Sequence, residues 1–197
     1  MNEQIRAFLD RLDEALGPFA KGGEHFDMFL LGRAALVLYY GFTLSTKDID
    51  IVWMRNSELE QKAIELLGKE SALAKTVGLY LDPVPQGLPP LPMGFRQRCT
   101  LIPGNWRVLK VWMLEVHDLA ATKLKSFRPQ DRQDLQSLCD LGLLTEAKLY
   151  ESLDAAFPFR SPKKEDAEDD PDNPDWGNAR TNCERVINYL KGLSKSI

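Results

Sequence analysis

The sequence has few of the side chains that build histidine or cysteine metal sites. It contains two histidines and three cysteines, and the cysteines lie far apart without CxxC spacing. This pattern favours neither a structural zinc site nor a disulfide framework. No Ser-His-Asp or Cys-His arrangement of the kind that activates a nucleophile is visible either. The chemistry of this chain is therefore expected to come from carboxylates, cations and backbone groups.

Long apolar runs are also missing. No stretch approaches the ~20 apolar residues that a membrane-spanning helix needs. The first residues, MNEQIRAFLDRLDEAL, are charged throughout, unlike a signal peptide. We expect a cytoplasmic protein. The chain of 197 residues, with 44% hydrophobic and 27% charged residues, has the composition of an ordinary globular protein with one core and additions.

The net charge of −4 is unevenly distributed. Residues 165–175, EDAEDDPDNPD, contain seven acids and no base, so the rest of the chain has a net charge of +3. A weakly basic body is compatible with contact to nucleotides or nucleic acid. The acidic, proline-containing stretch at 161–175 is predicted to be an exposed loop.

Hydrophobic periodicity predicts strands and helices in the first half of the chain and helices in the second. Five prolines between Asp82 and Cys99 predict an irregular loop there. The order indicates an α/β (α+β) fold with a mixed-sheet core at 1–115 and a helical C-terminal region at 116–197. The predicted strands are HFDMFLLG, DIDIVW, TVGLYLD, CTLIP and WRVLKVWML, and the predicted helices cover about 3–16, RAALVLYYG, SELEQKAIELLGKE, 117–127, 130–141, 145–156 and NARTNCERVINYLKGL.

Two carboxylates lie one residue apart on the predicted strand DIDIVW. Residues i and i+2 of a strand share a face, so Asp48 and Asp50 project together while Ile49 and Ile51 point to the other side. Neighbouring carboxylates repel unless a cation or a proton lies between them, and Mg²⁺ or Mn²⁺ suits such oxygen ligands. The alternative for this pair is a solvated strand end.

A glycine turn precedes these carboxylates in the segment LLGRAALVLYYG. A strand that ends at Gly32 and is followed directly by a helix presents free backbone N–H groups and a positive dipole end, which suit a phosphate. If this strand pairs with DIDIVW, the phosphate turn and the carboxylates lie together at one end of the sheet.

The order of a glycine turn, a helix, an acid-hydrophobic-acid strand and a later acid resembles the polymerase-beta-like nucleotidyltransferase fold. Three blocks, LLGRAALVLYYG, TKDIDIV and HDLAATKLKSFRPQDRQDLQSL, resemble its AbiEii/MNT-like branch, and the resemblance covers about residues 26–142. That branch includes toxins of toxin–antitoxin pairs. The resemblance implies a small mixed-sheet nucleotidyltransferase core and a helical C-terminal half.

The resemblance also implies roles for individual residues. Asp48 and Asp50 would bind two Mg²⁺ (or Mn²⁺) ions, and Asp82, in LYLD, is the best match for the third catalytic and metal-binding carboxylate. Gly32 and Arg33 would form the turn that binds the nucleotide phosphates. The family turn is usually Gly-Ser or Gly-Gly, so Arg33 is a departure. Its guanidinium would either clamp a phosphate or fill the pocket and indicate lost catalysis.

A second cluster of charged residues lies in ATKLKSFRPQDRQDL. By resemblance, Lys123 would contact the nucleotide triphosphate and Asp134 would support the site. The alternative is that Asp131 only interacts favourably with the dipole at a helix start, and that Arg128, Arg132 and Asp134 form surface ion pairs, which contribute little each.

The function implied is metal-dependent transfer of a nucleotide from a nucleoside triphosphate (NTP) to an RNA, such as a tRNA end, or to a protein acceptor. A toxin-like role with a cognate antitoxin as partner follows from the same resemblance. The alternative is a degenerate member of the fold that serves as a binding or interaction module without catalysis.

Overall fold

A computed structural model of the chain describes residues 1–54, 57–85, 87–158 and 174–193. It groups them into two compact units: Met1–Gln86 with Cys99–Leu114, and Gly87–Arg98 with Glu115–Ile197. The elements in chain order are α1 Asn2–Leu16, a 3-10 turn Gly17–Phe19, β1 Phe26–Leu30, α2 Gly32–Tyr40, β2 Asp48–Trp53, α3 Glu58–Leu67, α4 Ala72–Val77, β3 Tyr80–Pro85, α5 Phe95–Arg98, β4 Thr100–Leu101, β5 Leu109–Met113, α6 Val116–Leu124, α7 Pro129–Asp140, α8 Glu146–Ala156 and α9 Pro174–Leu193.

The first unit is built on a five-stranded mixed sheet with the order β3-β2-β1-β5-β4. β1 pairs antiparallel with β2, where Leu30 lies opposite Ile51, and parallel with β5. β2 and β3 are parallel, and β4 is antiparallel to β5. The expected mixed α/β fold with a small sheet is therefore confirmed.

One face of this sheet is apolar and is buried against helices. Ile49 and Ile51 of β2 are fully buried, as the period-two pattern of DIDIVW predicts. The helix α1 packs on α2 and α3. Its apolar residues at helical spacing are also fully buried, namely Ile5, Phe8, Leu9, Leu12 and Leu16. The opposite face of β2 is thereby left for the two acids.

The segment TVGLYLD is not one strand, and this expectation was wrong. Residues 72–77 form α4, in which the side chain of Ser71 accepts a hydrogen bond from the backbone N–H of Ala74. Gly78 ends this helix at φ 76°, a left-handed conformation that favours glycine. The strand β3 begins only at Tyr80. Capping by a serine and a glycine thus overrides the β propensity of Thr76 and Val77.

The prolines after Asp82 do not all belong to an irregular loop. β3 continues through Pro83 and Pro85, paired with Ile51 and Trp53 of β2. β3 is the outermost strand of the sheet, so it needs ladder hydrogen bonds to β2 on one side only. The backbone nitrogens of two prolines that are two residues apart can both face away from β2. The lack of an N–H group then removes no ladder hydrogen bond, which is why prolines are tolerated in edge strands.

The second unit is helical. Within it, α6 packs on α7, α8 and α9, and α9 also packs on α7 and α8. Pro174 and Asp175, which were expected in the acidic loop, belong to α9, and the rest of that predicted loop lies outside the described residues. The described helices include none that is long and apolar enough to cross a membrane.

Candidate functional site

Three carboxylates come together on the polar face of the sheet in the first unit. One oxygen from each of Asp48, Asp50 and Asp82 lies within 4.8 Å of the other two. Asp50 lies opposite Asp82 in the parallel pairing of β2 and β3, and Asp48 is two residues before Asp50 on the same face. The structure therefore brings together the three acids that the sequence singled out.

The separation of these oxygens can be compared with the size of a cation site. Two oxygens on opposite sides of one Mg²⁺, each at about 2.1 Å, would be about 4.2 Å apart. The limit of 4.8 Å that holds for all three oxygens is close to this separation. Within the part of the chain that the structure describes, Asp48 and Asp82 form no ion pair. The donor set therefore fits a hard divalent cation.

Asp48 is held in place by a neighbouring hydroxyl. The Oγ1 of Thr46 donates to Asp48 Oδ1 at 2.6 Å and lies 3.0 Å from the backbone oxygen of Asp48. Thr46 is only 8% exposed, which limits the freedom of this contact. Sequence reasoning gave Thr46 no role, although a threonine two residues before an aspartate is a spacing at which a hydroxyl reaches a neighbouring residue.

Gly32 lies against the carboxylate of Asp50. The backbone N–H of Leu31 donates to the carbonyl oxygen of Asp50 at 2.8 Å, which holds the start of α2 beside β2. Gly32 has a φ of 59°, and a Cβ atom added there would collide with Asp50 Oδ2. The position therefore requires glycine both for its backbone conformation and for the space that Asp50 occupies.

The start of α2 also offers backbone donors. Leu31 is its N-cap residue and provides no side-chain cap, and Arg33 is half-buried in the first turn. The first N–H groups of a helix have no partner within the helix, and they lie at the positive end of its dipole. The turn at Gly32 and the carboxylates are thus neighbours, as expected from pairing of the two strands.

Tyr80 belongs to the same face and was missed by sequence reasoning. It lies opposite Asp48 in the β2–β3 pairing. The pKa of its phenol is raised, first by burial and then by the negative charges of Asp48, Asp82 and Asp50. The ammonium of Lys69 lies 5.8 Å from the centre of the Tyr80 ring. Once β3 is assigned, position i−2 from Asp82 is the signal that would find this residue.

Lys123 and Asp134 lie together in the second unit. Lys123 Nζ is 2.8 Å from Asp134 Oδ2 and 3.6 Å from Asp131 Oδ1, and all three side chains are buried. Asp131 Oδ2 also accepts from the backbone N–H and Nε of Arg128 at the start of α7. The ion pairs of Lys123 are therefore buried within the helical unit, whereas the pair of Asp131 with Arg128 involves an exposed guanidinium.

A family model extends over most of both units. The model for nucleotidyltransferases of unknown function, DUF6036, matches residues 7–154. The chain belongs to this nucleotidyltransferase family. The DUF6036 match includes all three carboxylates, the α2 turn and the Lys123 cluster, but it does not distinguish the AbiEii/MNT-like branch, which stays a prediction. No match is found among curated proteins or among solved structures.

Proposed function

We propose that this chain is a divalent-metal-dependent enzyme that transfers a nucleotide from an NTP to an acceptor. The observation that supports this most strongly is the register of Asp82 with Asp50, which completes a three-carboxylate cluster in a chain of the nucleotidyltransferase family. In this proposal Asp48, Asp50 and Asp82 bind Mg²⁺ or Mn²⁺.

The cation would neutralise charge on the triphosphate and lower the pKa of an acceptor hydroxyl. The acceptor oxygen forms a bond to the α-phosphorus, the bond between the α-phosphorus and the bridging oxygen breaks, and pyrophosphate leaves with the bonding electrons. Asp82 takes the proton of the acceptor hydroxyl. Thr46 keeps Asp48 in one orientation, so that the carboxylates need little rearrangement during the reaction.

The start of α2 binds the phosphates in this proposal. Its N-terminal dipole end lies beside Asp50, and Gly32 leaves room for close approach. The guanidinium of Arg33, in the first turn, adds a planar donor for phosphate oxygens. Lys123 and Asp134 enter the proposal through the family resemblance alone, as a triphosphate contact and its support.

The acceptor and the biological role rest on resemblance. An RNA end or a protein side chain provides the hydroxyl that the reaction needs, and a toxin-like role with a cognate antitoxin is the corresponding biological proposal. The alternative function, a binding module without catalysis, is favoured by Arg33, because a large side chain occupies the position where the family turn usually has a small one.

The test is label transfer from each α-labelled NTP with Mg²⁺, in the presence of RNA or protein mixtures. We expect the wild type to transfer label. The rate of label transfer by Asp48→Asn/Asp50→Asn should be lower by at least about a thousandfold, because the variant lacks groups that stabilise charge in the transition state. Glu65→Gln, on the exposed face of α3, is the control and should stay active. Equal transfer by wild type and the double variant would contradict the proposal. Binding of Mg-NTP without any transfer would favour the binding module.

A further inference from the structure

A groove with two basic side chains in its lining lies within the first unit. It has a volume of about 430 Å³ and lies between one side of α1 and the residues that lead into β2 and β3. We call it the α1 groove, and its polar lining residues are Gln4, Arg11, Ser45, Thr46 and Lys47. Its volume is within the range of about 300 to 1,000 Å³ that is usual for ligand sites.

The charged side chains that line the α1 groove are all basic. Arg11 and Lys47 line it, and no carboxylate is among its lining residues. Among the residues that the structure describes, neither cation has an ion pair or a side-chain hydrogen bond. Two unpartnered cations in one concave surface attract an anion, and phosphate is the anion that arginine and lysine together recognise most readily.

A second groove of the same unit provides a contrast. It has a volume of about 790 Å³ and is lined by Arg6 and Arg107, but also by Asp10, Asp13 and Glu14. The carboxylate of Asp13 has a structural role within the unit, because it accepts hydrogen bonds from the backbone N–H groups of residues 107–109. The mixed charge of this second groove does not favour a polyanion.

The α1 groove is connected directly to the carboxylate cluster. Thr46 lines the groove, and its hydroxyl donates to Asp48 Oδ1 at 2.6 Å. Lys47 immediately precedes Asp48, so its Cα atom is about 3.8 Å from that of a proposed metal ligand. The groove and the carboxylate cluster therefore share Thr46 as a common residue.

We propose that the α1 groove binds the phosphate backbone of a single-stranded nucleic acid, which makes a nucleic acid the acceptor class. This inference rests on the proposed function and specifies its substrate. The NTP phosphates are assigned to the start of α2, so the groove is free for the acceptor strand. The net charge of +3 outside residues 165–175 is compatible with such a partner.

The test is binding of a labelled single-stranded RNA oligonucleotide, measured by fluorescence anisotropy at several salt concentrations. The test variant is Arg11→Gln/Lys47→Gln. The control is Arg107→Gln/Lys148→Gln, which removes the same two charges from exposed residues elsewhere. We expect the test variant to bind more weakly and to lower the salt slope by about 1.4, since each phosphate contact contributes about 0.7 for single strands. The ratio of wild-type to variant affinity for the RNA should therefore fall by about sevenfold between 50 and 200 mM salt.

Several results would overturn this inference. If both double variants lose RNA affinity equally, net charge rather than a specific site explains the binding. If the wild type does not bind RNA, a single-stranded nucleic acid is excluded as the ligand of the groove. If Arg11→Gln/Lys47→Gln loses Mg-NTP affinity but keeps RNA affinity, the groove binds the NTP. Transfer of label to protein alone, unchanged in this variant, would exclude a nucleic-acid acceptor. Because binding is measured without turnover, loss of transfer in the carboxylate variants tests the proposed function separately.

Discussion

Asp82 lies directly opposite Asp50 in the parallel pairing of β2 and β3. Residues paired in this way project from the same face of a sheet, and Asp48 projects from that face two residues earlier. The cluster is therefore fixed by backbone register, and no flexible loop has to move to assemble it. This rigidity implies that like charges are held close together whenever no cation is present.

The first prediction follows from this repulsion. Without divalent cations, Asp82→Asn should raise the melting temperature, because it removes one of three neighbouring negative charges. With Mg²⁺ at about 100 times its Kd, the wild type should gain about 2.7 kcal/mol, and the variant should gain much less. Thermal unfolding with EDTA and with Mg²⁺ measures both effects. Equal Mg²⁺ stabilisation of wild type and variant would contradict a role for Asp82 in metal binding.

The second prediction concerns the two glycines at the ends of α2. Gly32 and Gly41 have positive φ angles of 59° and 70°, but only a Cβ at Gly32 would collide with Asp50. Both alanine variants should lose about 1 kcal/mol or more of unfolding free energy through backbone strain. Gly32→Ala should in addition displace the Asp50 carboxylate and abolish Mg²⁺ binding, whereas Gly41→Ala should keep it. Urea unfolding and Mg²⁺ calorimetry check the pair, and loss of Mg²⁺ binding in both would show a general folding defect instead.

The acids of β2 could be found from the sequence because alternation is a local signal. Asp48 and Asp50 alternate with Ile49 and Ile51, which are buried as predicted. The partner of Asp50 is set by which strand lies beside β2, and a non-local pairing has no local pattern. Asp82 could therefore be suggested only by resemblance. Thr46 was missed for another reason, since its hydrogen bond depends on the backbone angles just before β2.

The fold was predicted at the level of its class, and two errors show where local rules fail. Residues 76 and 77 have β propensity but lie in α4, because capping by Ser71 and Gly78 and the surrounding packing outweigh a weak preference. Pro83 and Pro85 predict a loop in isolation, yet an edge strand accepts them. Edge position is a property of the whole sheet and cannot be read from the segment.

The third prediction tests the hydroxyl that holds Asp48. Thr46→Val preserves the shape of the side chain but removes its donor to Asp48 Oδ1. The affinity for Mg²⁺ should fall by about 10- to 100-fold, as for other groups that orient a metal ligand. Thr46→Ser restores the hydroxyl and should restore most of the affinity. Thr122→Val, which removes a hydroxyl bonded within α6, is the control and should leave Mg²⁺ affinity unchanged.

The fourth prediction concerns the phenol of Tyr80, whose pKa is raised by burial and by three carboxylates. The negative charges disfavour the tyrosinate, so removal of one charge by Asp48→Asn should lower this pKa. Absorbance near 295 nm as a function of pH measures it, with Tyr80→Phe spectra subtracted to isolate one of the five tyrosines. Glu65→Gln should leave it unchanged. A pKa that does not fall in Asp48→Asn would show that the charge of Asp48 does not contribute to the shift.

The fifth prediction separates two explanations of Lys123. Its ammonium lies between two buried carboxylates, so Lys123→Met would leave both Asp131 and Asp134 without their common cation. A buried charge that loses its partner costs about 3 to 5 kcal/mol of unfolding free energy. Lys123→Met/Asp134→Leu should be less destabilised, because Asp131 keeps Arg128 and Asp134 no longer needs a partner. Urea unfolding of the two variants measures this difference.

The same double variant tests whether Lys123 also contacts the triphosphate. If it does, the folded Lys123→Met/Asp134→Leu protein should bind Mg-NTP more weakly than wild type, while its Mg²⁺ affinity without nucleotide stays unchanged, because the three carboxylates are intact. Calorimetry with Mg²⁺ alone and then with Mg-NTP distinguishes these steps. An unchanged NTP affinity would restrict Lys123 to stabilising the helical unit, since the ion pair with Asp134 accounts for its burial without any ligand.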